Sequence, residues 1–410
     1  MKFIRYYFTT YLKEIQEINR KTASLIRKGT VWNMDFLRRC RAEIDLDALD
    51  FNLRSIAERC PDKTPIMVVK ANAYGHSDVI CVKEYYRLGQ RHFAVSNFHE
   101  AERVREITGD NECFVLVFGY IEESRFEDIL RLNLTVTLGS VEFAERLNKF
   151  ALSRNAGIKA NIALDTGMSR VGVRTAEEIK EIMSLPGLDV TAFYFHFPVA
   201  DMVEEDHREF SLRQYEKFIL LTKEYGLPSH CLNSGGIAFY PELKGELMRP
   251  GLILYGLSAN PSVESTLPLK QVMTLKSTVD QIKLFPKGVD IGYGRTYTTD
   301  SEQLIAVVPA GYADGYSRLL SNRGKVLVNG VLCPIRGRVC MDQMMIDVTE
   351  ANAKIGDEVL LYSDRAKETS IEYVAEMLGT ITNEVVCNVS SRVPRVAVRS
   401  GEIVEVVNER

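Results

Sequence analysis

The sequence of 410 residues lacks the features of several specialised protein classes. Its eight cysteines include no Cys-x-x-Cys pair and no cluster with histidine. This scatter argues against a disulfide scaffold and against a structural zinc site, so we expect no bound metal. No apolar run approaches the 18 residues of a membrane-spanning helix, so we expect no membrane segment.

A concentrated basic surface is also missing. The 51 lysines and arginines are outnumbered by 55 acidic residues, which gives a net charge of −4, and we expect no nucleic-acid partner. A composition of 46% hydrophobic and 26% charged residues is ordinary for a globular enzyme. The length allows one large and one smaller domain.

Residues 1–37 differ in composition from the rest of the chain. They carry seven basic and three acidic residues, a net charge of +4, and Leu12, Ile15 and Ile18 have the spacing of a short amphipathic helix. Tyrosines interrupt any signal-peptide core and no clear cleavage site follows, so we expect a cytoplasmic protein. The segment is interpreted as a loosely held extension, with a membrane-surface helix as the alternative and with Met34 as a candidate alternative start.

Residues 38–270 alternate between strand-like and helix-like segments. Eight alternations over about 200 residues predict an α/β fold, a (β/α)₈ TIM barrel. A doubly wound sheet is the alternative, although no G-x-G-x-x-G motif follows the first strand. The segment Thr175–Glu178 has the pattern of a helix capping box. The strands are expected to start near Pro65, His92, Cys113, Leu134, Ile158, Leu188, His230 and Leu252.

Residues 271–410 predict a mostly β C-terminal domain. Asn329-Gly330 lies between two strand-like segments and is a strong signal for a two-residue hairpin. One helix is expected at Ser370–Leu378, after a capping-box pattern at Thr369–Glu372. The strand-like segments are Leu275–Lys283, Leu304–Val308, Lys325–Val328, Val331–Pro334, Met344–Val348 and Glu358–Tyr362.

One lysine stands at the end of the first predicted barrel strand, in Ile66-Met-Val-Val-Lys70-Ala-Asn-Ala-Tyr-Gly-His76. Catalytic groups of barrels lie at the carboxyl ends of strands. Burial there lowers the pKa of an amine and makes it nucleophilic, which suits a Schiff base to a carbonyl cofactor such as pyridoxal phosphate. The alternative is an ordinary solvated strand end.

Five further segments fall near predicted strand ends or in the second domain, and each has an ordinary interpretation as a loop, a core residue or a surface charge. A histidine lies within an apolar run, and the free amides of a small-residue loop could contact a phosphate. Glycines flank a tyrosine in the second domain and permit close approach of the backbone. The segments are Asp165-Thr-Gly-Met-Ser-Arg170, Phe193-Tyr-Phe-His196-Phe, Asn233-Ser-Gly-Gly236, Arg249-Pro-Gly-Leu-Ile-Leu-Tyr255 and Ile291-Gly-Tyr293-Gly-Arg-Thr-Tyr297.

Taken together, these segments resemble, in order and approximate spacing, the alanine racemase family of fold type III pyridoxal-phosphate enzymes. The resemblance covers about residues 40–400. It includes Gly311-Tyr-Ala-Asp-Gly315, Gly337-Arg-Val-Cys-Met-Asp342 and Arg392-Val-Pro-Arg395. It implies an isomerase that interconverts L- and D-alanine for cell-wall peptidoglycan, with pyridoxal phosphate as cofactor, and a homodimer with shared active sites.

The resemblance also implies roles for individual residues. Lys70 would bind the cofactor covalently and act as one base, and Tyr293 of the neighbouring subunit would act as the other. His196 would contact the cofactor ring and link Arg249, which donates to the ring nitrogen, to Tyr293. The remaining cofactor contacts would be Tyr74, Ser234, Gly251, Leu252 and the position of Ser391. The substrate contacts would be Arg170, Tyr312, Met341 and Asp342.

Two positions depart from the family pattern. Ala163 occupies the position at which many members have a carbamylated lysine that supports the arginine of the Asp-Thr-Gly-Met motif. Ser391 stands where a tyrosine usually reaches the cofactor phosphate and narrows the pocket. The smaller residue puts a strict preference for alanine in doubt. A racemase that accepts or prefers serine is therefore the alternative to a strict alanine racemase.

Two other classes of protein remain as alternatives. A non-catalytic barrel that carries pyridoxal phosphate would lack the second domain and Tyr293. A decarboxylase of similar architecture typically pairs the ring nitrogen with a carboxylate, and Arg249 argues against that interpretation.

Overall fold

A parallel sheet forms the barrel of the structure, a computed structural model that describes residues 39–263 and 267–408. Residues 1–37, including Met34, lie outside the described residues. The first strand of the chain, β1 (Arg41–Asp45), belongs to the sheet of the second domain. The barrel sheet has the strand order β2-β10-β9-β8-β7-β6-β5-β4-β3, and all neighbouring strands in it are parallel. The strands are β2 Thr64–Pro65, β3 Met67–Val68, β4 His92–Val95, β5 Phe114–Val117, β6 Thr135–Leu138, β7 Ile158–Ala163, β8 Leu188–Tyr194, β9 Ser229–His230 and β10 Leu247–Met248.

The sheet closes because β2 and β3 are two halves of one strand. Only Ile66 separates them, and β2 pairs with β10 while β3 pairs with β4. The nine segments therefore make eight barrel strands, which confirms the predicted (β/α)₈ barrel. Most buried strand positions are apolar, as expected for parallel strands covered on both faces, although Asn161 and His230 are buried polar exceptions.

Helices cover the outer face of the barrel. Thr175 caps its helix through a complete capping box with Glu178, as the sequence predicts. Two further helices, α9 and α10, belong to the second domain. The helices are α1 Leu46–Arg59, α2 Asp78–Arg87, α3 Phe98–Thr108, α4 Phe126–Arg131, α5 Val141–Ser153, α6 Ala176–Met183, α7 Glu205–Thr222, α8 Ser234–Phe239, α9 Ile371–Leu378 and α10 Thr382–Cys387.

The position predicted for the eighth barrel strand is wrong. Leu252–Tyr255 forms a 3₁₀ helix, and the eighth strand is β10, five residues earlier. The two residues of β10 are too few to show an alternation of apolar and polar residues in the sequence. The apolar run after Gly251, in contrast, has the composition of a buried strand. As a consequence, Arg249 lies just after a strand, at the carboxyl end of the barrel.

The second domain is mostly β, as predicted, and its main sheet also takes in β1. The strand order is β17-β16-β19-β11-β1-β20-β21, so the domain boundary predicted at residue 38 misses one strand. The strands are β11 Met273–Thr278, β12 Gln281–Phe285, β13 Asp290–Ile291, β14 Tyr297–Thr298, β15 Gln303–Val308, β16 Lys325–Val328, β17 Val331–Pro334, β18 Met344–Asp347, β19 Glu358–Tyr362, β20 Arg395–Arg399 and β21 Glu402–Val407.

Local signals in this domain had mixed outcomes. Asn329 and Gly330 both adopt positive φ, 50° and 79°, in the predicted tight hairpin between β16 and β17. The predicted strand 275–283 is two strands, β11 and β12. The predicted cap at Thr369 is also wrong, because Ser370 caps α9 and Glu372 accepts the backbone N–H of Ser258 instead.

Within the described residues, no helix combines the length and the apolar character that crossing a bilayer requires. The same residues contain no group of three histidine, cysteine, aspartate or glutamate side chains arranged to hold a metal ion. The eight cysteines, which all lie in the described part of the chain, form no disulfide bond with one another, and six of them are buried.

Candidate active site

A cavity of about 1070 Å³ opens at the carboxyl ends of the barrel strands. Lys70 follows β3 at its wall, and the loops after the other strands supply most of the remaining lining. Among the residues singled out in the sequence, the cavity brings together Lys70, Tyr74, Arg170, His196, Ser234, Arg249, Gly251 and Leu252.

The chain leaves Lys70 through a left-handed helical turn. Ala71, Asn72, Ala73 and Tyr74 have φ between 51° and 55°, and Gly75 continues the turn at 78°. Left-handed backbone costs roughly 1–2 kcal/mol for each residue with a side chain, so surrounding contacts must hold this turn in place. We call Lys70–Gly75 the lysine turn.

Both domains hold the lysine turn. The side chain of Asn72 accepts the backbone N–H of Asp78, at 2.8 Å. Arg395 of the second domain is buried and donates to the carbonyl of Gly75 at 3.0 Å. Its other nitrogens donate to the carbonyls of Val389, Ser390 and Val393. The turn is therefore tied to the segment that precedes β20.

Burial is the main cause of a lowered pKa at Lys70. The cations Arg170 and Arg249 lower the pKa further, whereas Glu100 and Cys387 act in the opposite direction. A lower pKa increases the share of Lys70 present as the free amine, the form that attacks a carbonyl or accepts a proton.

Arg249 lies in the cavity wall as a buried cation. One terminal nitrogen contacts the ring nitrogen of His230 at 2.9 Å, and the other donates to the carbonyl of Phe195 at 2.7 Å. Burial, reinforced by Arg170, lowers the pKa of Arg249 to about 10, so it stays protonated near neutral pH. A cation there suits a neutral ring nitrogen of a cofactor, because a guanidinium donates hydrogen bonds and accepts none.

The imidazole that is hydrogen-bonded to Arg249 belongs to His230, which was not among the predicted site residues. His230 also lies 2.9 Å from the side-chain amide of Asn161. A histidine at the end of a buried strand, three residues before Asn233, was the available signal. His196 contacts Asn233 instead, at 3.4 Å, so the described chain does not contain the expected link from His196 to Arg249. Burial and the nearby cations Arg249, Arg170 and Lys70 lower the pKa of His196 to about 3.

One corner of the cavity, at Ser234 and Gly251, fits a phosphate group. The hydroxyl of Ser234 accepts the backbone N–H of Gly251 at 3.2 Å and keeps its own proton for an anion. A side chain at Gly251 would place its Cβ 2.7 Å from the hydroxyl of Tyr74, so only glycine leaves this corner open. A lysine of lowered pKa, a cationic donor and an open corner with a hydroxyl donor fit pyridoxal phosphate.

Arg170 reaches the cavity from the loop after β7 and is exposed. Its guanidinium has no hydrogen bond or ion pair with any described residue, which leaves it available for a carboxylate. Ala163, at the position discussed above, is buried in β7 and supplies no support.

Five of the expected site residues do not line this cavity. Tyr293 is 72% exposed at the tip of the β13–β14 hairpin, and Tyr312 and Met341 are exposed as well. Asp342 is exposed and accepts from Arg392 at 2.6 Å. Ser391, also exposed, is adjacent to Arg392. These residues remain predictions as site residues.

The comparisons with known proteins agree with this geometry. Residues 44–259 match the model of the alanine racemase N-terminal domain, and residues 272–397 match that of the alanine racemase C-terminal domain. This chain belongs to the alanine racemase family. The match to both domains separates it from the single-domain carrier barrels considered above.

Relatives of the chain cover nearly its whole length. The alanine racemase of Clostridium novyi is 39% identical over 91% of this chain and 98% of its own. The solved alanine racemase of Clostridium difficile 630 shares 34% identity over 91% of this chain and 99% of its own, with a TM-score of 0.85. That of Bartonella henselae, with covalently bound pyridoxal phosphate, shares 26% identity over 88% of this chain and 100% of its own, with a TM-score of 0.80. The predicted family, activity and cofactor are confirmed: the chain is a pyridoxal-phosphate-dependent racemase that acts on a small amino acid.

Proposed function

We propose that the protein interconverts L- and D-alanine with two bases on opposite faces of the amino acid, Lys70 of one subunit and Tyr293 of a second subunit. One observation carries the proposal: Lys70 lines the barrel cavity, whereas Tyr293 stands exposed on the second domain and does not line it. One chain thus presents one base, and a second copy must bring the other.

Two bases are required by the reaction itself. Pyridoxal phosphate, when bound, supplies an electron sink that makes the α-proton of an amino acid acidic. Inversion then needs removal of that proton from one face and delivery of a proton to the other. The amine of Lys70, with its lowered pKa, accepts and returns a proton on one face. The phenol of Tyr293 does the same on the opposite face.

The remaining residues bind and orient. Ser234, Tyr74 and the backbone at Gly251 and Leu252 would hold the phosphate, His196 would contact the ring, and Arg249 would donate to the ring nitrogen. Arg170, which has no partner among the described residues, would bind the substrate carboxylate. Tyr312, Met341 and Asp342 of the second subunit would form the entrance.

A homodimer would also cover exposed apolar side chains. Tyr120 and Val171 are exposed beside the cavity of the barrel, and Tyr312 and Met341 are exposed on the second domain. A twofold axis would place the second domain of each subunit over the barrel of the other, creating two equal sites. We place this homodimer in the cytoplasm, where cysteine thiols remain reduced.

We further propose that serine is a substrate. Ser391 lacks the aromatic ring that narrows the pocket at this position in many family members, and its small side chain leaves space for a hydroxymethyl group. An added hydroxyl is rejected only about a hundredfold even by an apolar pocket, so a more polar pocket should discriminate less.

Exchange of the α-hydrogen in heavy water tests the two-base assignment. The wild-type protein should exchange the α-hydrogen of both enantiomers of alanine. Tyr293→Phe should lose interconversion but keep exchange for the one enantiomer whose α-hydrogen faces Lys70. If Tyr293→Phe exchanges and interconverts both enantiomers as the wild type does, Tyr293 is not a base and the proposal is wrong.

A further inference from the structure

Glu100 lies behind the lysine turn, in the first turn of α3. One carboxylate oxygen accepts the backbone N–H of Ala71 at 2.8 Å, and the other accepts that of Ser96 at 2.7 Å. Ala71 follows Lys70 directly, and Ser96 follows β4, the strand next to β3. One carboxylate therefore joins the ends of two neighbouring barrel strands beneath the cavity.

Both hydrogen bonds give a backbone N–H group an acceptor. The chain turns left-handed at Ala71, so its N–H points away from the usual helical acceptors. Ala71 is exposed, so without Glu100 its N–H would depend on water, whereas the carboxylate of Glu100 is a strong, charged acceptor. Glu100 thus fixes the first peptide of the lysine turn, one bond from the residue that must be aimed at the substrate.

Glu100 also bears on the charge at Lys70. The groups that act on the amine are the cations Arg170 and Arg249, the thiol of Cys387 and Glu100, and Glu100 is the one carboxylate among them. Without Glu100, two cations would act on Lys70 with no carboxylate to oppose them.

We propose that Glu100 is a positioning residue for the racemase reaction, which orients Lys70 through the peptide of Ala71 and balances the cations around its amine. Glu100 does not line the cavity, so it touches neither substrate nor cofactor. The assignment rests on the proposed role of Lys70.

The test compares Glu100→Gln with Glu102→Gln in the cofactor-loaded full chain. Glu102 lies two residues further along α3 and pairs with Arg131 at 3.1 Å, away from the lysine turn. Both variants remove one negative charge from the same helix. An amide at position 100 can accept only through its oxygen, so one of the two backbone bonds is lost.

Glu100→Gln should lower kcat about tenfold or more, because a hydrogen bond to a charged group is lost, while KM stays within a factor of about two. The pH at which the nitrogen of Lys70 loses its proton, read from the visible absorbance of the loaded protein, should fall by about one unit. Glu102→Gln should match the wild type in both readouts, and Glu100→Asp, which keeps the charge, should restore the titration midpoint.

The proposal is overturned if Glu100→Gln keeps the wild-type titration midpoint, even when its kcat or melting temperature falls. A lower stability alone would assign Glu100 a structural role only. Borohydride labelling separates this failure from a failure of the proposed function. If Lys70 of the wild type is not labelled, the assignment of Lys70 is wrong whatever the Glu100 variants do.

Discussion

At the scale of single residues, we expect the reactivity of the protein to depend on one half-buried amine. Lys70 and Lys367 both line the cavity, but Lys70 alone of the two follows a barrel strand, and burial lowers the pKa of Lys70. Borohydride reduction of the loaded protein should therefore fix the cofactor on Lys70. Peptide mapping should find the adduct there in the wild type and in Lys367→Arg, and not in Lys70→Arg.

A label found on Lys367 would contradict this assignment. It would move the reactive amine to the edge of the second domain and remove the reason for the lysine turn.

We expect the choice between alanine and serine to depend on the side chain at position 391. Ser391→Tyr should lower kcat/KM for serine relative to alanine by about tenfold or more, because the ring fills the space of a hydroxymethyl group. The wild type should accept serine within about a hundredfold of alanine. Rates of D/L interconversion for both amino acids measure this ratio. An unchanged ratio in Ser391→Tyr would mean that another residue closes the pocket.

The individual residues were predictable from the sequence when they belonged to a local motif. Lys70, Ser234 and Arg249 stood in recognisable segments, and the structure brings them into one cavity. Glu100 and His230 were not predicted, because their importance comes from contacts between neighbouring barrel strands. Their partners lie 29 and 19 residues away in the chain, and no periodic pattern records such a contact.

At the scale of elements, the lysine turn is the unusual one. Gly75 adopts a φ of 78°, and a Cβ there would lie 2.2 Å from the carbonyl oxygen of Val386 in α10. Gly379 has a similar φ of 70° but has open space around it. Gly75→Ala should therefore lower the free energy of unfolding by about 2 kcal/mol or more beyond the loss in Gly379→Ala.

Chemical denaturation of both variants measures this difference. Equal losses of unfolding free energy in the two variants would show that α10 moves aside easily. The contact between the lysine turn and the second domain would then contribute little to stability.

Elements with a clear sequence signal, such as a turn motif, were predicted well, and very short elements without one were not. The four residues of β16 and of β17 were placed correctly because the Asn329-Gly330 turn fixes their register. The two residues of β10 gave no period, and β1 joined the second domain by pairing with β11 and β20. Such pairings depend on segments more than 200 residues away in the chain.

At the scale of the whole molecule, buried histidines make the fold sensitive to acid. Burial lowers the pKa of His76, which stacks on Tyr255, to about 4. Unfolded chains bind this proton near pH 6.5, so between pH 6.5 and about 4 the unfolded state binds more protons than the native state. The free energy of unfolding should therefore keep its full value above pH 6.5 and fall on acidification. At pH 4, His76 alone should lower it by about 3 kcal/mol.

His76→Gln should flatten that pH dependence, since glutamine does not titrate. The free energy of unfolding at fixed protein concentration, measured from pH 4 to pH 8, gives the slope. A variant that is less stable at every pH but keeps the wild-type slope would rule out His76 as a source of acid sensitivity.

The central claim is that each active site takes Lys70 from one subunit and Tyr293 from the other. The most direct measurement mixes Lys70→Ala subunits with Tyr293→Phe subunits, each inactive alone. Every mixed dimer then contains one site with both bases, so random reassociation should restore roughly a quarter of the wild-type racemase activity. No activity in verified mixed dimers would contradict the claim, because the two bases would then belong to the same chain.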